Sequence, residues 1–163
     1  MTLDPDTLPL PLREMLDPGE KVLAHWRPVL SQFARESVLA GALTSLLLAP
    51  VLWGHPLWVW LAAIVLGALA WGVIFDDLAT WRQRRNDHWV LSNQRLLFCN
   101  DLGDGDPTGV PLSEITGFAG SGWFGILILR LSIGTKLRMS FLASPPKVRA
   151  AIIAARDKTG DEI

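Results

Sequence analysis

Few residue types in this chain occur at spacings that support chemistry. The histidines are His25, His55 and His88, and the one cysteine is Cys99. A covalent catalyst needs its nucleophile within hydrogen-bond reach of a base. A structural zinc site needs four convergent ligands. No histidine stands at a recognisable motif spacing from Cys99, so this thiol is expected to be a small buried apolar residue. Being single, it also excludes an intrachain disulfide. Asp101, Asp104 and Asp106 have the spacing of half a calcium loop, but the bidentate Glu that closes such a loop is missing. A flexible β-turn is the expectation there. Gly117–Gly125 is glycine-rich but lies between strand-like runs. A phosphate-binding fingerprint must follow a strand and open a helix, so it does not apply. The sequence therefore predicts no enzyme, no cofactor and no metal.

Two groups with binding chemistry remain. Trp81, Arg82, Arg84 and Arg85 could meet lipid headgroups, at about 1 kcal/mol per basic residue near an anionic surface. An ordinary basic collar flanking a membrane span has the same composition. Asn93 and Arg95 lie in a polar break, Ser92-Asn93-Gln94-Arg95, where their side chains are expected to fix a turn by hydrogen bonds. A ligand contact by Arg95 is the sharper alternative. The net charge of -1 gives no global electrostatic case for nucleic acid.

The elements that must position these groups fall into two kinds. Ser37 to Phe75 contains no Asp, Glu, Lys or Arg. So long an uncharged run reads as membrane-embedded and exceeds one span of a hydrocarbon core about 30 Å thick. The break is expected at Pro50 to Pro56, where Gly54-His55-Pro56 has turn chemistry and Trp53, Trp58 and Trp60 cluster at an interface. The reading is a helical hairpin with spans at 37–53 and 57–75. Small residues make a seam between them: Gly41, Ala42 and Ser45 against Gly67, Ala68 and Gly72. Lys21, Arg27 and Arg35 precede the hairpin and Arg82, Arg84 and Arg85 follow it, while the connecting turn has no Lys or Arg. The positive-inside rule places both termini in the cytoplasm. Residues 1–12 carry acids and prolines where a secretory signal would be basic then apolar, and are expected to be an irregular lead-in. A short helical turn is expected at 13–17. Residues 20–26 are a candidate strand, and 29–35 a candidate interfacial segment closing the lead-in at 36.

Residues 76–87 form a basic connector, and from His88 the period changes. Trp89–Leu91 and Leu96–Phe98 predict an antiparallel hairpin. Further strands are expected at 110–112, 115–119 and 123–133. In 136–142 apolar Leu137, Met139 and Phe141 alternate with Lys136, Arg138 and Ser140, which predicts a sheet with one wet face. Ser144-Pro145 opens an amphipathic helix with Val148, Ala151, Ile152 and Ala155 on one stripe, closed by Gly160.

The run Trp89-Val90-Leu91-Ser92-Asn93-Gln94-Arg95-Leu96-Leu97 resembles the first hairpin of bacterial pleckstrin-homology-like domains. Val110-Pro111-Leu112-Ser113-Glu114-Ile115 resembles the strand and turn that come after it. Pro18-Gly19-Glu20-Lys21-Val22-Leu23 and Trp26-Arg27-Pro28 are similar to the segment preceding the spans in the family's membrane-anchored members. Ser92 stands where Thr is usual, and the long Asp/Gly loop departs from the pattern. The resemblance implies a curved antiparallel sheet, rolled into a partly open barrel, with a C-terminal helix over one end: an α+β domain (88–163) attached to a membrane α-helical hairpin. It carries little chemistry. The expected role is a non-catalytic scaffold or protein-interaction module at the cytoplasmic face of a bacterial inner membrane. Its partners would be the lipid bilayer and either another protein or a copy of itself. A peripheral anionic-lipid module is the alternative, and a small transporter or channel ranks last, because no acid lies mid-span.

Overall fold

A computed structural model describes residues 8–74, 76–100, 106–120 and 124–160. In chain order the elements are helix α1 (Leu10–Glu14), strand β1 (Val22–Trp26), helices α2 (Leu30–Leu47), α3 (Ala49–Leu52), α4 (Leu57–Ile74) and α5 (Asp77–Arg84), and strands β2 (Asp87–Ser92), β3 (Arg95–Asn100) and β4 (Thr108–Pro111). A 3-10 turn (Leu112–Glu114), strands β5 (Ile115–Ala119), β6 (Leu127–Leu131) and β7 (Lys136–Met139), and helix α6 (Pro145–Gly160) complete the chain. It divides into two compact units: Met1–Val29 with Arg84–Ile163, and Leu30–Gln83.

The first unit is α+β, with two antiparallel sheets in the orders β1-β2-β3-β4 and β5-β6-β7. Residues 22–26 do join a sheet: Trp26 pairs with Trp89 and His25 with Val90. Every residue of β2 is buried, because the four-stranded sheet is covered on both faces. Side chains alternate across a strand, so β2 and β3 feed two separate cores. Trp89, Leu91 and Leu96 point into the main core, with Leu112, Ile115, Leu127, Leu129, Met139, Leu142, Val148 and Ile152. Val90, Leu97 and Cys99 point the other way, onto Leu8, Leu12 and Val22. Residues 8–16 are thus not an idle lead-in. Helix α1 starts at Leu10, earlier than the turn expected at 13–17, and Leu12 is fully buried.

The strand expected at 123–133 is shorter, because Gly125 has φ 60° and a Cβ there would lie 3.1 Å from Leu142 O. The backbone crosses there too closely for a side chain, and β6 forms only after it. Leu127, Leu129 and Leu131 are buried, while Arg130 faces outward opposite Lys136. The wet face follows the alternation over Lys136–Met139, but β7 ends there, and Ser140, expected on the wet face, is buried. From β7 the chain turns into α6 through Phe141 (φ 59°), held by Val29 N–H on Phe141 O and Leu142 N–H on Gly125 O, both 2.9 Å. α6 buries Val148, Ile152 and Ala155.

In the second unit α4 runs back along α2. A short connector joins them at one end, and Phe33 stacks on Trp81 at the other, with ring centroids 5.4 Å apart. The helices touch at Gly41 and Gly67: a Cβ on Gly67 would lie 3.2 Å from Gly41 Cα. Ser45 is buried nearby, and Trp71 Nε1 donates to Thr44 Oγ1 at 2.7 Å. Gly72, expected in the seam, has open space where its side chain would be.

α4 is long and apolar enough to cross a membrane, with a mean hydropathy of 2.2. Its Leu57, Val65, Leu66, Leu69, Val73 and Ile74 are all exposed. Of the two expected spans this is the one that stands out as a single helix, and Phe75 at its expected end lies outside the described residues. The stretch 37–53 is not one helix. α2 takes up 30–35, expected along an interface, and stops at Leu47, and the separate α3 carries Pro50 in its first turn. A proline inside a continuous helix would remove a hydrogen bond and clash with the preceding turn. Within the connector, residues 77–84 form a separate helix, α5.

Candidate functional site

The polar turn is built by residues far apart in sequence. Ser92 Oγ accepts the N–H groups of Gln94 (3.1 Å) and Arg95 (3.0 Å) and donates to Glu20 Oε1. Asn93 Oδ1 accepts Lys21 N–H at 2.9 Å, and Asn93 N–H donates to Lys21 O at 3.1 Å. Arg95 Nε donates to Glu20 Oε1 at 3.1 Å. Its Nη2 reaches Glu20 Oε2 (2.8 Å), Asp17 Oδ2 (2.8 Å) and Met15 O (2.7 Å). The Glu20 side chain has no exposed surface. Burial pushes its carboxyl up, but the bonds from Arg95, Ser92 and the Asp17 N–H outweigh this and hold it below its ordinary range. The same bond to Glu20 raises the Arg95 guanidinium against its own burial. Arg95 is thus directed at an internal carboxylate, and Asn93 ties the turn to the start of β1.

The basic cluster is divided in its surroundings. Trp81 is half-buried against Phe33. Arg84 Nη1 approaches Arg138 O at 3.5 Å and faces Asp87. Arg82 and Arg85 are exposed. Burial raises the Asp87 carboxyl, with Asn100 Nδ2 and Arg84 opposing.

The histidines of the β unit come together, as sequence spacing does not foretell: His25 Nε2 and His88 Nδ1 are 3.0 Å apart. Cys99, buried, pairs with His88 across β2 and β3. Among the described residues no group of three His, Cys, Asp or Glu is placed to hold a metal ion. The aspartate loop lies outside the described residues except for Asp106, as does the turn beyond Gly120.

One surface feature has no counterpart in the sequence motifs. A groove of about 490 Å³ runs between the end of β5 and α6. Its floor is Phe118 and Leu127, and its helix wall is Pro146, Ala150 and Ile153. Arg149 lies over the Phe118 ring, 5.5 Å from its centroid. Ala150 and Ile153 sit beside the buried stripe of Val148 and Ile152. Apolar residues just off a core stripe were the signal available for this surface. Comparison with known protein families finds no model that matches the chain, and no curated protein matches it.

Proposed function

We propose that this chain is a membrane-anchored protein-interaction module with a pleckstrin-homology-like β domain at the cytoplasmic face of a bacterial inner membrane. The observation that carries the reading is α4, an apolar helix with outward-facing Leu, Val and Ile side chains, continuous in sequence with a β unit that has an apolar groove. At 1.5 Å per residue its eighteen residues reach about 27 Å, close to a hydrocarbon core. In this reading α2, α3 and α4 form the two-pass anchor, with both termini cytoplasmic. The Gly41–Gly67 contact supplies the close packing that membrane helices use in place of dehydration. The clasp around Arg95 favours a structural role for the motif over a ligand-reading one, since its guanidinium already serves four acceptor atoms.

The test is chemical crosslinking of the full chain in its native membranes at native abundance, followed by sizing of the solubilised product. A discrete species larger than the monomer is expected. Recovery of the monomer alone would sink the interaction reading.

A further inference from the structure

An interaction module needs a docking surface, and the assignment of one to β5 rests on the interaction reading. In the order β5-β6-β7, β5 is an edge strand. The direction of its backbone groups is set by its neighbours. Leu131 N–H bonds to Thr135 O on the β7 side, and Ser132 N–H bonds to Glu114 O. Leu131, Leu129 and Leu127 therefore turn their backbone groups to β7, while Arg130 and Ile128 turn theirs to Gly117 and Ala119 of β5. Phe118, between Gly117 and Ala119, therefore directs its groups away from the sheet, and so does Ile115, because the register shifts between Ile115 and Gly117. Arg156 Nη1 donates to Ile115 O at 3.3 Å. Nothing among the described residues takes the Phe118 N–H or C=O. An unpaired strand edge is a template for one more strand.

The surroundings decide what that strand carries. The groove beside Phe118 is apolar on its helix wall, so it favours a segment with apolar side chains at alternate positions. Among the described residues that line the groove Arg149, over the Phe118 ring, is the charged one, and none is an acid. Asp157 is the acid nearest along α6, and it lies against Arg156 at 3.5 Å. We propose that an extended, acidic segment of a partner protein adds to β5 as an extra strand, seats apolar side chains against Pro146, Ala150 and Ile153, and places a carboxylate on Arg149.

The test uses the full chain in neutral phosphatidylcholine nanodiscs and a displayed random-peptide library as the probe. Enriched peptides are expected to share an Asp or Glu at a fixed distance from alternating apolar residues. Their binding is expected to slow hydrogen exchange at the Phe118 amide by about tenfold, the effect of one good hydrogen bond. Arg149→Glu should weaken them about tenfold or more, with Arg149→Lys retaining most of the affinity. Arg149 is exposed, so both variants should keep the parent's melting temperature. Enriched peptides that leave Phe118 unprotected, or that ignore Arg149→Glu, would overturn the groove while leaving the interaction reading intact. If no peptide is enriched and phosphatidylglycerol vesicles alone protect Phe118, the occupant is a lipid surface and the proposal falls. If neither binds, it falls as well, and the crosslinking result then decides the interaction reading separately.

Discussion

Removal of Arg95 is the sharpest test of how the β unit is held. In Arg95→Ala, Glu20 keeps its buried position but loses two charge-assisted bonds, at 3.1 and 2.8 Å, and Met15 O and Asp17 lose theirs. Leaving one member of a buried ion pair behind costs about 3–5 kcal/mol. Glu20→Gln keeps the shape and removes the charge, so about 1–3 kcal/mol is expected. The double variant Glu20→Leu with Arg95→Met removes both charges, and should cost far less than the two single losses added. The assay is thermal unfolding of the full chain in detergent, tracked by near-ultraviolet circular dichroism, which reports the packing of its eight tryptophans, buried Trp89 among them. The pH dependence supplies the sign. The Glu20 carboxyl is held below its ordinary value in the folded state. Its contribution is therefore complete above the unfolded value, about 4.3, and is lost as pH falls through the depressed folded value. Glu20→Gln should flatten that acid limb, and the two proteins should converge at low pH. A cost below about 1 kcal/mol for Arg95→Ala at neutral pH, or an unchanged acid limb in Glu20→Gln, would refute the clasp.

Two further outcomes are expected. A Cβ on Gly41 would lie 2.2 Å from Ile64 O and 2.8 Å from Ala68 N, whereas one on Gly72 meets nothing within 4 Å. Gly41→Val should cost about 3 kcal/mol or more in resistance to dodecyl sulfate unfolding, and Gly72→Val should stay near neutral. Asp87 is buried with its carboxyl raised, so its folded state binds the proton more tightly than the unfolded chain does. Its contribution is complete below the unfolded value and is lost as pH rises through the folded one. Asp87→Asn keeps an acceptor for Asn100 Nδ2 and should gain about 1 kcal/mol at neutral pH. The gain should vanish in acid, as a melting-temperature series against pH would read.

What the sequence made legible was local. Alternation in Lys136–Met139, the polar break at Ser92–Arg95 and the stripe Val148–Ile152–Ala155 each carry their period within a few residues, and each element formed there. Features that depend on distant segments were hidden. Leu8 and Leu12 show no period of their own, yet they cover Val90 and Leu97. Glu20 carries no local sign that it will sit under Arg95. The span expected over 37–53 runs past Pro50, where the break itself is expected to begin, and α2 stops before that residue, at Leu47. The open edge of β5 was hidden because a strand edge is defined by which strands fail to pair, and a sequence pattern reports only which ones can.

β1 and β2 are adjacent antiparallel strands, yet all of Leu30–Gln83 lies between them in sequence. Closing so long a connection costs chain entropy that grows only slowly with length, as (3/2)RT ln n. Cross-strand pairs such as Trp26 with Trp89, the Asn93–Lys21 bonds and the Glu20–Arg95 pair must offset that cost. The helical pair is thus an insertion into a sheet, with both its ends returned to neighbouring strands, rather than a leader joined to a finished domain. One consequence is that residues 87–163 are not a self-sufficient part. Without β1 and residues 8–20, the Val90–Leu97–Cys99 face loses its cover, β2 becomes an open edge, and Arg95 loses its carboxylate. Any binding surface on β5 and α6 must therefore be studied in the whole chain. Both ends of the helical pair connect in sequence to β1 and β2, which pair with each other, while the β5 edge belongs to the other sheet.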